Sequence, residues 1–587
     1  MIWISMLNKV LPRIYLPLIV TLILLMFFAA FYSEELSEDS YQHFQTSVEV
    51  WNNRDWKMLL TDTWNKPLPA ILYGITGQWG IVPARWAGVV LTLLTGLLTF
   101  KLAILILSEE IKKHPWTFVG IFICQLAVLP QAFLTMTELF AAFLLACGLF
   151  LFLTKRYFAA FFVLGFLPLA RLETSLILAW VFIFISLEQL QNQGWSKTKW
   201  IEVIQWNTVG SIPFLTWWGV GIHYTDSWRW FLDSSYSPYL RPFQISNLLK
   251  INFVTGLPGV LSAPGLFLFF LGIFHFPVVC RADSSNSRWI QKGLYGILLI
   301  HGLFLSSFVV YPKGSRFGDL AIGAINPRNY NVISPIIALF IFAGSIYLIK
   351  LMNQAFHTNW FRKWGISLGL TEIALITFFF FQQALGTSLK KGLFKLGIHY
   401  SILIIFCCWL AWYYFRPMRN PEKPARFNHS SIAFFLIFSF LFSVPLFWHP
   451  LRFYDQRALV QKELCSWLET HQKTPARRII QDINSRLNLF CRLPSLNARW
   501  TWPHTFQENL KSSPAGSWII LETDDDYRPR SHYPDDLIRS LTNSSSFALI
   551  KKSKAIPFNA RWEIWLNRIS ARNAPTRWIV YEKLERE

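Results

Sequence analysis

The chain has 587 residues, of which 53% are hydrophobic and 15% are charged, and its formal net charge is +21. Soluble domains average about 25% charged residues, so this composition excludes an ordinary soluble protein and predicts a membrane protein. A basic chain can also bind nucleic acid, but much of the basic excess here lies in short loops between apolar runs, and no RNA or DNA motif is present. We therefore expect a lipid bilayer, and no nucleic acid, as the partner of these loops.

Apolar runs long enough to cross a bilayer recur between residues 14 and 449. A hydrocarbon core about 30 Å thick needs roughly 20 residues of helix for each crossing. The fold class that we expect is therefore an α-helical polytopic membrane protein with a membrane domain over residues 1–449. Its predicted spans, about thirteen in number, are 14–32, 84–107, 116–134, 136–153, 157–170, 172–187, 203–222, 259–280, 293–311, 332–350, 366–385, 397–415 and 430–448.

The positions of Lys and Arg predict which side each loop faces, because short cytoplasmic loops hold an excess of these residues. Every second loop is basic, which predicts that the N-terminus lies inside and that residues 450–587 lie outside. The basic cluster formed by Lys390, Lys391 and Lys395 disagrees with this alternation, so the path of residues 366–400 stays open. No endoplasmic-reticulum retention signal is present, which favours the bacterial cytoplasmic membrane as the location of this multi-pass protein.

Residues 450–587 have the pattern of a small extracytoplasmic α/β domain. The stretch "DQRALVQKELCSWLETH" has a helical period, whereas "ARRIIQDI", "SWIILETDDD", "FALIKKS" and "RWEIWLNR" are short strand-like runs separated by turn residues. Cys465 and Cys491 are the two cysteines of this domain, and a location outside the membrane permits a disulfide between them. Two unrelated buried thiols are an equally good interpretation.

The first outer loop, residues 33–83, begins with the acidic pair Glu38 and Asp39. Apolar residues then recur at intervals of three and four, which predicts an amphipathic helix lying at the membrane interface. Pro67 and Pro69 interrupt the following segment, where we expect the chain to re-enter the membrane surface. The residues of the apolar stripe are Tyr41, Phe44, Val48 and Trp51.

Ionisable groups at the edges of membrane spans are costly, so each is a hypothesis for a functional site. A carboxylate at a helix start can instead complement the helix dipole, an effect worth about 0.3 to 1 kcal/mol. An Arg and a Glu between two short spans can form a private ion pair, although residues two apart on a helix do not face each other. The groups that stand out, and that we expect around one outward-facing cavity, are Glu38, Asp39, Glu138, Arg171, Glu173 and Arg328.

The first outer loop, "EDSYQHFQTSVEVWNNRDWKMLLTDTWNKPLPAILYG", resembles that of the GT-C superfamily of glycosyltransferases, which use lipid-phosphate sugars as donors. Members have an acidic residue after the first helix, then an amphipathic helix, a "DW" and a "KP.L..Y"-like segment. "TELFAAFLL" and "ARLET" resemble stretches of protein mannosyltransferase-like and aminoarabinose-transferase-like members, and "NPRNYNVISPIIAL" is similar to their "RYxxPxxP" segment. The residues of this chain that match the loop motifs are Asp39 or Glu38, Asp55, Trp56, Lys66, Pro67, Leu68 and Tyr73.

The resemblance implies transfer of a sugar from a polyprenyl-phosphate donor to an acceptor that the sequence does not identify. A carboxylate must then accept the proton of the acceptor, and Asp39 is the candidate base, with Glu38 assisting or orienting it. Guanidinium groups suit the leaving phosphate because their planar fork gives two parallel hydrogen bonds. The candidate phosphate ligands are Arg328, Arg171, Arg316 and Lys313, and the other cavity residues are Glu138, Glu173, Lys66 and His43.

The outer loops lack the DxD motif of metal-dependent members, so no metal site is predicted firmly, although Glu38 and Asp39 offer ligands for a divalent cation such as Mg²⁺ or Mn²⁺. Two other classes of function remain open. A transporter or flippase of lipid-linked sugars needs a similar charged cavity, but transporters often show two repeated halves, and no such repeat is visible. A non-catalytic membrane assembly subunit would tolerate replacement of both carboxylates.

Overall fold

A computed structural model describes residues 19–31, 38–61, 66–107, 111–112, 115–123, 125, 128–193, 196–230, 257, 261–280, 286–308, 327–355, 366–367, 369–377, 401–408, 410, 432, 436, 456–471, 479–481, 498–500, 510, 512–524, 541, 543–553 and 576–584. The chain divides into two compact units. Residues 1–31 and 43–448 form the first, and residues 32–42 and 449–587 form the second.

Among the described residues, the elements before residue 449 are helices. They are α1 (Ile19–Phe31), α2 (Glu38–Asn53), α3 (Trp56–Thr61), α4 (Pro67–Thr76), α5 (Ile81–Ile106), α6 (Pro115–Ile123), α7 (Val128–Ala132), α8 (Glu138–Leu153), α9 (Tyr157–Gly165), α10 (Leu167–Ala170), α11 (Thr174–Gln193), α12 (Lys197–Thr225), α13 (Ala263–Val279), α14 (Asn286–Phe308) and α15 (Ser334–Ala355). Two 3₁₀ helices, Gly77–Trp79 and Pro327–Ile333, precede α5 and α15.

Three of the described helical segments are long and apolar enough to cross a membrane. They are Ile81–Ile106, Thr174–Gln191 and Asn329–Asn353. Shorter apolar helices accompany them at Ile19–Phe31, Glu138–Leu153, Tyr157–Ala170, Ala263–Val279 and Ile290–Leu305. These helices lie at predicted spans, and the prediction of a polytopic helical membrane fold is confirmed. The predicted spans 366–385 and 397–415 are described in part, and their described residues, 366–367, 369–377, 401–408 and 410, are helical. The predicted span 430–448 lies largely outside the described residues.

Two predicted spans are each built from two helices rather than one. The predicted span 116–134 contains α6 and α7, which are separated at Gln125, a residue outside helical geometry. The predicted span 157–170 contains α9 and α10, and Pro168 lies in the first turn of α10. Proline lacks the N–H that an unbroken helix would need there, so the chain ends one helix and begins another.

The amphipathic helix of the first outer loop is present as α2. Phe44, Val48 and Trp51 of its stripe pack on α4 and the turn after it. Cβ atoms built at Gly74 and Gly77 would lie 2.9 Å and 2.5 Å from Ser47 O and Val48 Cγ2. Pro67 and Pro69 do not interrupt a segment, as the sequence suggested, but begin α4. Proline fits the first turn of a helix because the N–H groups there have no partner within the helix.

Helices α13 and α15 are in close backbone contact at two glycines, Gly272 and Gly344. A Cβ atom at Gly272 would lie 1.8 Å from the carbonyl oxygen of Phe340, and one at Gly344 would lie 2.0 Å from that of Leu268. Small residues at such crossings let two backbones touch, which is a common source of helix association in membranes.

We expect Gly272→Ala to destabilise the protein by about 1 to 3 kcal/mol, because the added methyl group forces two backbones apart. Thermal unfolding of the purified protein in nanodiscs measures the change. Gly219→Ala in α12 is the matched control, since no described atom lies within 4 Å of its Cβ position. This control should be neutral or slightly stabilising, because Ala favours helix over Gly by up to about 1 kcal/mol. Equal stabilities of the two variants would contradict the close crossing.

The second unit contains a helix, α16 (Gln456–His471), and a mixed sheet of five strands in the order β2-β1-β3-β5-β4. The pairs β1–β2 and β1–β3 are parallel, and β5 is antiparallel to both β3 and β4. The predicted α/β tail is therefore confirmed, although β2 and β5 were not predicted and "RWEIWLNR" lies outside the described residues. The strands are β1 (Ile479–Gln481), β2 (Ala498–Trp500), β3 (Trp518–Asp524), β4 (Phe547–Lys552) and β5 (Thr576–Lys583).

The sheet of this unit buries residues on both of its faces, and α16 covers one of them. Trp467 on α16 packs against Trp518 on β3 and Trp578 on β5, with ring centroids 5.3 Å and 5.4 Å away. Both strand tryptophans are buried. A second buried cluster, which includes Ile519 and Ile579, lies on the opposite face of the sheet, because successive residues of a strand point to opposite faces. Aromatic packing of this kind stabilises small domains beyond the area that it buries.

Cys465 on α16 is disulfide-bonded, while its predicted partner Cys491 lies outside the described residues. We expect peptide mass spectrometry of the unreduced protein to find the Cys465–Cys491 cross-link. Cys491→Ser should then expose a Cys465 thiol that reacts with maleimide after unfolding. Recovery of Cys491 as a free thiol from protein purified under non-reducing conditions would contradict the pairing.

Candidate functional site

Arg171 is the centre of a buried cluster of charged side chains in the first unit. Its Nη1 donates to Glu138 Oε1 at 2.6 Å and to Thr137 Oγ1 at 3.1 Å, and its Nε donates to Glu173 Oε1. The side chains of Arg171 and Glu173 are each 10% exposed, and that of Glu138 is fully buried. The structure thus brings together three of the residues that the sequence singled out.

The backbone explains why Arg171 and Glu173 meet although they are two residues apart. Arg171 ends α10 in an extended conformation with φ −156° and ψ 123°, and the next two residues form a turn before α11 begins at Thr174. Side chains two positions apart on a helix point away from each other, but the connection from Arg171 to Glu173 is not helical. The ion pair between Arg171 and Glu173 is therefore present. Arg171 also pairs with Glu138, the first residue of α8.

Burial of these charges is costly unless each is paired. Burial acts to raise the pKa of Glu173, but the charge of Arg171, hydrogen bonds and the charge of Lys66 outweigh it and lower that pKa overall. Glu173 therefore stays ionised in the cluster. Arg171 was predicted to bind the donor phosphate, and two of its nitrogen atoms already contact carboxylates, which makes it an organiser of the cluster as well.

The first outer loop reaches this cluster through α4. Lys66 precedes Pro67 in an extended conformation and is only 1% exposed, and its charge acts on Glu173. Tyr73 lies about two helical turns after Lys66, and its hydroxyl donates to the carbonyl oxygen of Met136 at 2.8 Å. Burial, with a smaller contribution from the Glu138 charge, raises the Tyr73 pKa well above its ordinary value, so this phenol remains a donor.

A buried histidine that was not predicted as a site residue experiences the charges of this cluster. His301 on α14 is 1% exposed, and the charges of Glu173 and Arg171 act on its ring. Its Nε2 lies 3.0 Å from the carbonyl oxygen of Asn329 in the 3₁₀ helix Pro327–Ile333. Because a carbonyl oxygen only accepts, Nε2 carries the hydrogen of this bond. An ionisable side chain within an apolar run was the signal that could have found it.

The two acidic candidates begin α2. Glu38 and Asp39 are its first residues, and nothing beyond their backbone is described. His43, which follows Asp39 by one helical turn, is buried with 5% exposure. The role of these three residues stays a prediction.

Three predicted phosphate ligands are described little or not at all. Lys313 and Arg316 lie outside the described residues, and Arg328 is described by its backbone in the 3₁₀ helix Pro327–Ile333. That helix packs on α8, the helix that begins with Glu138. Among the described residues, no three His, Cys, Asp or Glu side chains come close enough to hold a metal ion, and the carboxylates of Glu38 and Asp39 are outside that set.

The architecture is that of a polytopic helical membrane protein with an α/β unit at its C-terminal end, and its buried charges meet where helices begin and end. Compared by sequence, the chain matches no family model and no curated protein. Compared by fold, it is similar to the crystal structure of ArnT from Cupriavidus metallidurans in the apo state. The TM-score is 0.55 and the identity 13%, over 97% of this chain and 98% of that one. At this identity the similarity shows a shared fold, and it is the fold that the sequence resemblance implied.

Proposed function

We propose that this protein is a GT-C type glycosyltransferase that moves a sugar from a polyprenyl-phosphate donor to an acceptor at the outer face of a bacterial inner membrane. The observation that carries the proposal is the buried cluster of Arg171, Glu138, Glu173 and Lys66 in a chain with the fold of ArnT. A cluster built from helix ends and a loop helix suits a site where a lipid headgroup meets an acceptor.

The reaction requires a base for the acceptor and cations for the leaving group. Asp39 accepts the proton of the acceptor as its oxygen or nitrogen attacks the anomeric carbon, while Glu38 orients Asp39. The bond between the anomeric carbon and the phosphate oxygen breaks, and polyprenyl phosphate leaves with the bonding electrons. A single displacement of this kind inverts the configuration at the anomeric carbon. Glycosyl transfer passes through an oxocarbenium-like transition state, which the departing phosphate and nearby carboxylates stabilise.

The phosphate needs donors that carry positive charge. Arg328, Arg316 and Lys313 are the proposed ligands, with Arg171 holding the cluster that frames them. Lys66 adds a cation from the first outer loop, since its ammonium group is buried and acts on Glu173. The charges of Glu138, Glu173, Arg171 and Lys66 sum to zero, so a bound phosphate depends on the further cations for neutralisation.

A transfer assay tests the proposal. The purified protein, reconstituted in lipid vesicles, is supplied with polyprenyl-phosphate sugars that carry a radiolabelled hexose or pentose, and with a set of outer-envelope glycans, lipids and peptides. We expect label to move to one acceptor and polyprenyl phosphate to be released in equal amount. Movement of intact lipid-linked sugar across the bilayer, without cleavage of the sugar–phosphate bond, would instead identify a transporter. Absence of transfer and of donor binding in every combination would overturn the proposal.

A further inference from the structure

His301 joins two parts of the first unit that are remote in sequence. It lies on α14, and its Nε2–H donates to the carbonyl oxygen of Asn329 at 3.0 Å. Asn329 directly follows Arg328 and is itself 6% exposed. The residues that follow Asn329 in the same 3₁₀ helix are buried, with Tyr330, Val332 and Ile333 at 0% exposure. This hydrogen bond therefore reaches the residue directly after Arg328 in a helix of seven residues.

The second ring nitrogen of His301 makes the arrangement unusual for a merely structural histidine. Nδ1 is buried and has no hydrogen-bond partner among the described residues. A buried polar atom without a partner costs about 1 to 3 kcal/mol of folding free energy. If the side chain served packing alone, the protein would be more stable with an apolar residue of the same size at this position. The charges of Glu173 and Arg171 act on this ring.

We propose that His301 is a positioning residue that clasps the 3₁₀ helix Pro327–Ile333 and thereby holds Arg328 where it binds the phosphate of the donor. The role of Arg328 in this statement rests on the proposed function, whereas the clasp itself does not. His301 touches neither donor nor acceptor through Nε2, because that atom is occupied by the Asn329 carbonyl group. Its effect on the lipid phosphate passes through the backbone of residues 328 and 329.

Two substitutions separate the effect of the hydrogen bond to Asn329 from the effect of the volume of the imidazole ring. Gln places an amide N–H near the position of the histidine Nε2, so His301→Gln retains the donor to Asn329. Phe keeps an aromatic ring of similar size but has no donor, so His301→Phe removes the hydrogen bond. Tyr295→Phe is the matched control on the same helix, because it removes a hydrogen bond from the Tyr295 hydroxyl to the carbonyl oxygen of Ile273 and leaves the 3₁₀ helix untouched.

The first measurement is hydrogen exchange of the full-length protein in nanodiscs, which does not depend on any substrate. In His301→Phe we expect amide exchange within 327–333 to become at least about tenfold faster, as expected when a local structure loses a protecting contact. His301→Gln and Tyr295→Phe should exchange there at the parent rate. Unchanged exchange in His301→Phe, or equal acceleration in Tyr295→Phe, would overturn the clasp.

The second measurement is binding of polyprenyl phosphate, used as the probe in place of the sugar-bearing donor. His301→Phe should raise its Kd about tenfold, the loss expected when a charge-assisted hydrogen bond to phosphate is misplaced. His301→Gln should restore the Kd to the parent value. In Arg328→Ala, addition of His301→Phe should cause no further loss, because both changes remove the same interaction. Additive losses would show that His301 does not act through Arg328 and would overturn the proposal. Failure of the parent protein to bind the probe would count against the proposed function, while the exchange experiment would still decide the clasp.

Discussion

Asp39→Asn is expected to lower the turnover of sugar transfer by about 10² to 10⁴-fold, which is the usual contribution of a general base. The amide keeps the shape of the side chain but cannot accept the proton of the acceptor. Affinity for the donor should change little, because the phosphate is bound by cations. Initial rates at saturating donor, together with the Kd for polyprenyl phosphate, separate these two effects.

Two neighbouring variants make this prediction specific. Glu38→Gln should be milder if Glu38 only orients Asp39, and the reverse order of severity would assign the base to Glu38. Asp55→Asn is the matched control in the same loop: Asp55 is exposed, and its Oδ1 accepts from the Met58 N–H at 2.9 Å, a role that Asn performs equally well. Transfer at the parent rate by Asp39→Asn, Glu38→Gln and their double mutant would show that this loop holds no base.

Arg171→Met should have the largest effect on stability, because it leaves Glu138 and Glu173 buried without their partner. Removal of one member of a buried ion pair typically costs about 3 to 5 kcal/mol, which we expect to measure as a large fall in the unfolding midpoint in nanodiscs. Lys199→Met is the control at an exposed pair, where Lys199 Nζ lies 2.9 Å from Glu202 Oε2 and the side chains are 30% and 35% exposed. Exposed pairs contribute at most about 1 kcal/mol.

A triple variant distinguishes stability from function at the same cluster. Glu138→Gln, Arg171→Met and Glu173→Gln together remove the three charges that the ion pairs of Arg171 join and leave Lys66 as the remaining charge of the cluster. Neutral replacement of buried ion pairs is often tolerated. We expect the triple variant to be more stable than Arg171→Met alone but to remain inactive in sugar transfer. If Arg171→Met were no less stable than Lys199→Met, the buried pairing would be contradicted. If the triple variant transferred sugar at the parent rate, the cluster would have no part in the reaction.

The sequence allowed local features to be predicted where one element carries the whole signal. The amphipathic helix α2 could be predicted from the helical period of its apolar residues alone. The charged residues at the ends of α8 and α10 could be recognised because their neighbours are apolar. The contact of Arg171 with Glu138 joins residues 33 positions apart, and no local pattern determines such a distance. Helix breaks were also missed: Pro168 and Gln125 lie within runs whose hydropathy is continuous.

His301 shows the same limit for the site. It stands alone in an apolar helix, without a motif around it, and its partner Asn329 lies 28 residues away in the chain. The tail gives a further example, since β5 pairs with β3 and β4 but its neighbours in sequence carry no hairpin signal. In each case the missing information was a contact between remote segments, which sequence periodicity does not contain.

Helix α15 differs from other apolar helices in what surrounds it. In the span Asn329–Asn353, 94% of the most apolar stretch is buried, against 56% in Ile81–Ile106 and 44% in Thr174–Gln191. Lipid tails adapt to any apolar side chain, whereas packed protein does not. Random mutagenesis of the gene should therefore yield functional clones with varied apolar residues at the exposed positions of α5 and α11. On α15 such clones should keep the volume of almost every side chain. Packing against protein therefore restricts the sequence of this helix more than its hydropathy alone would.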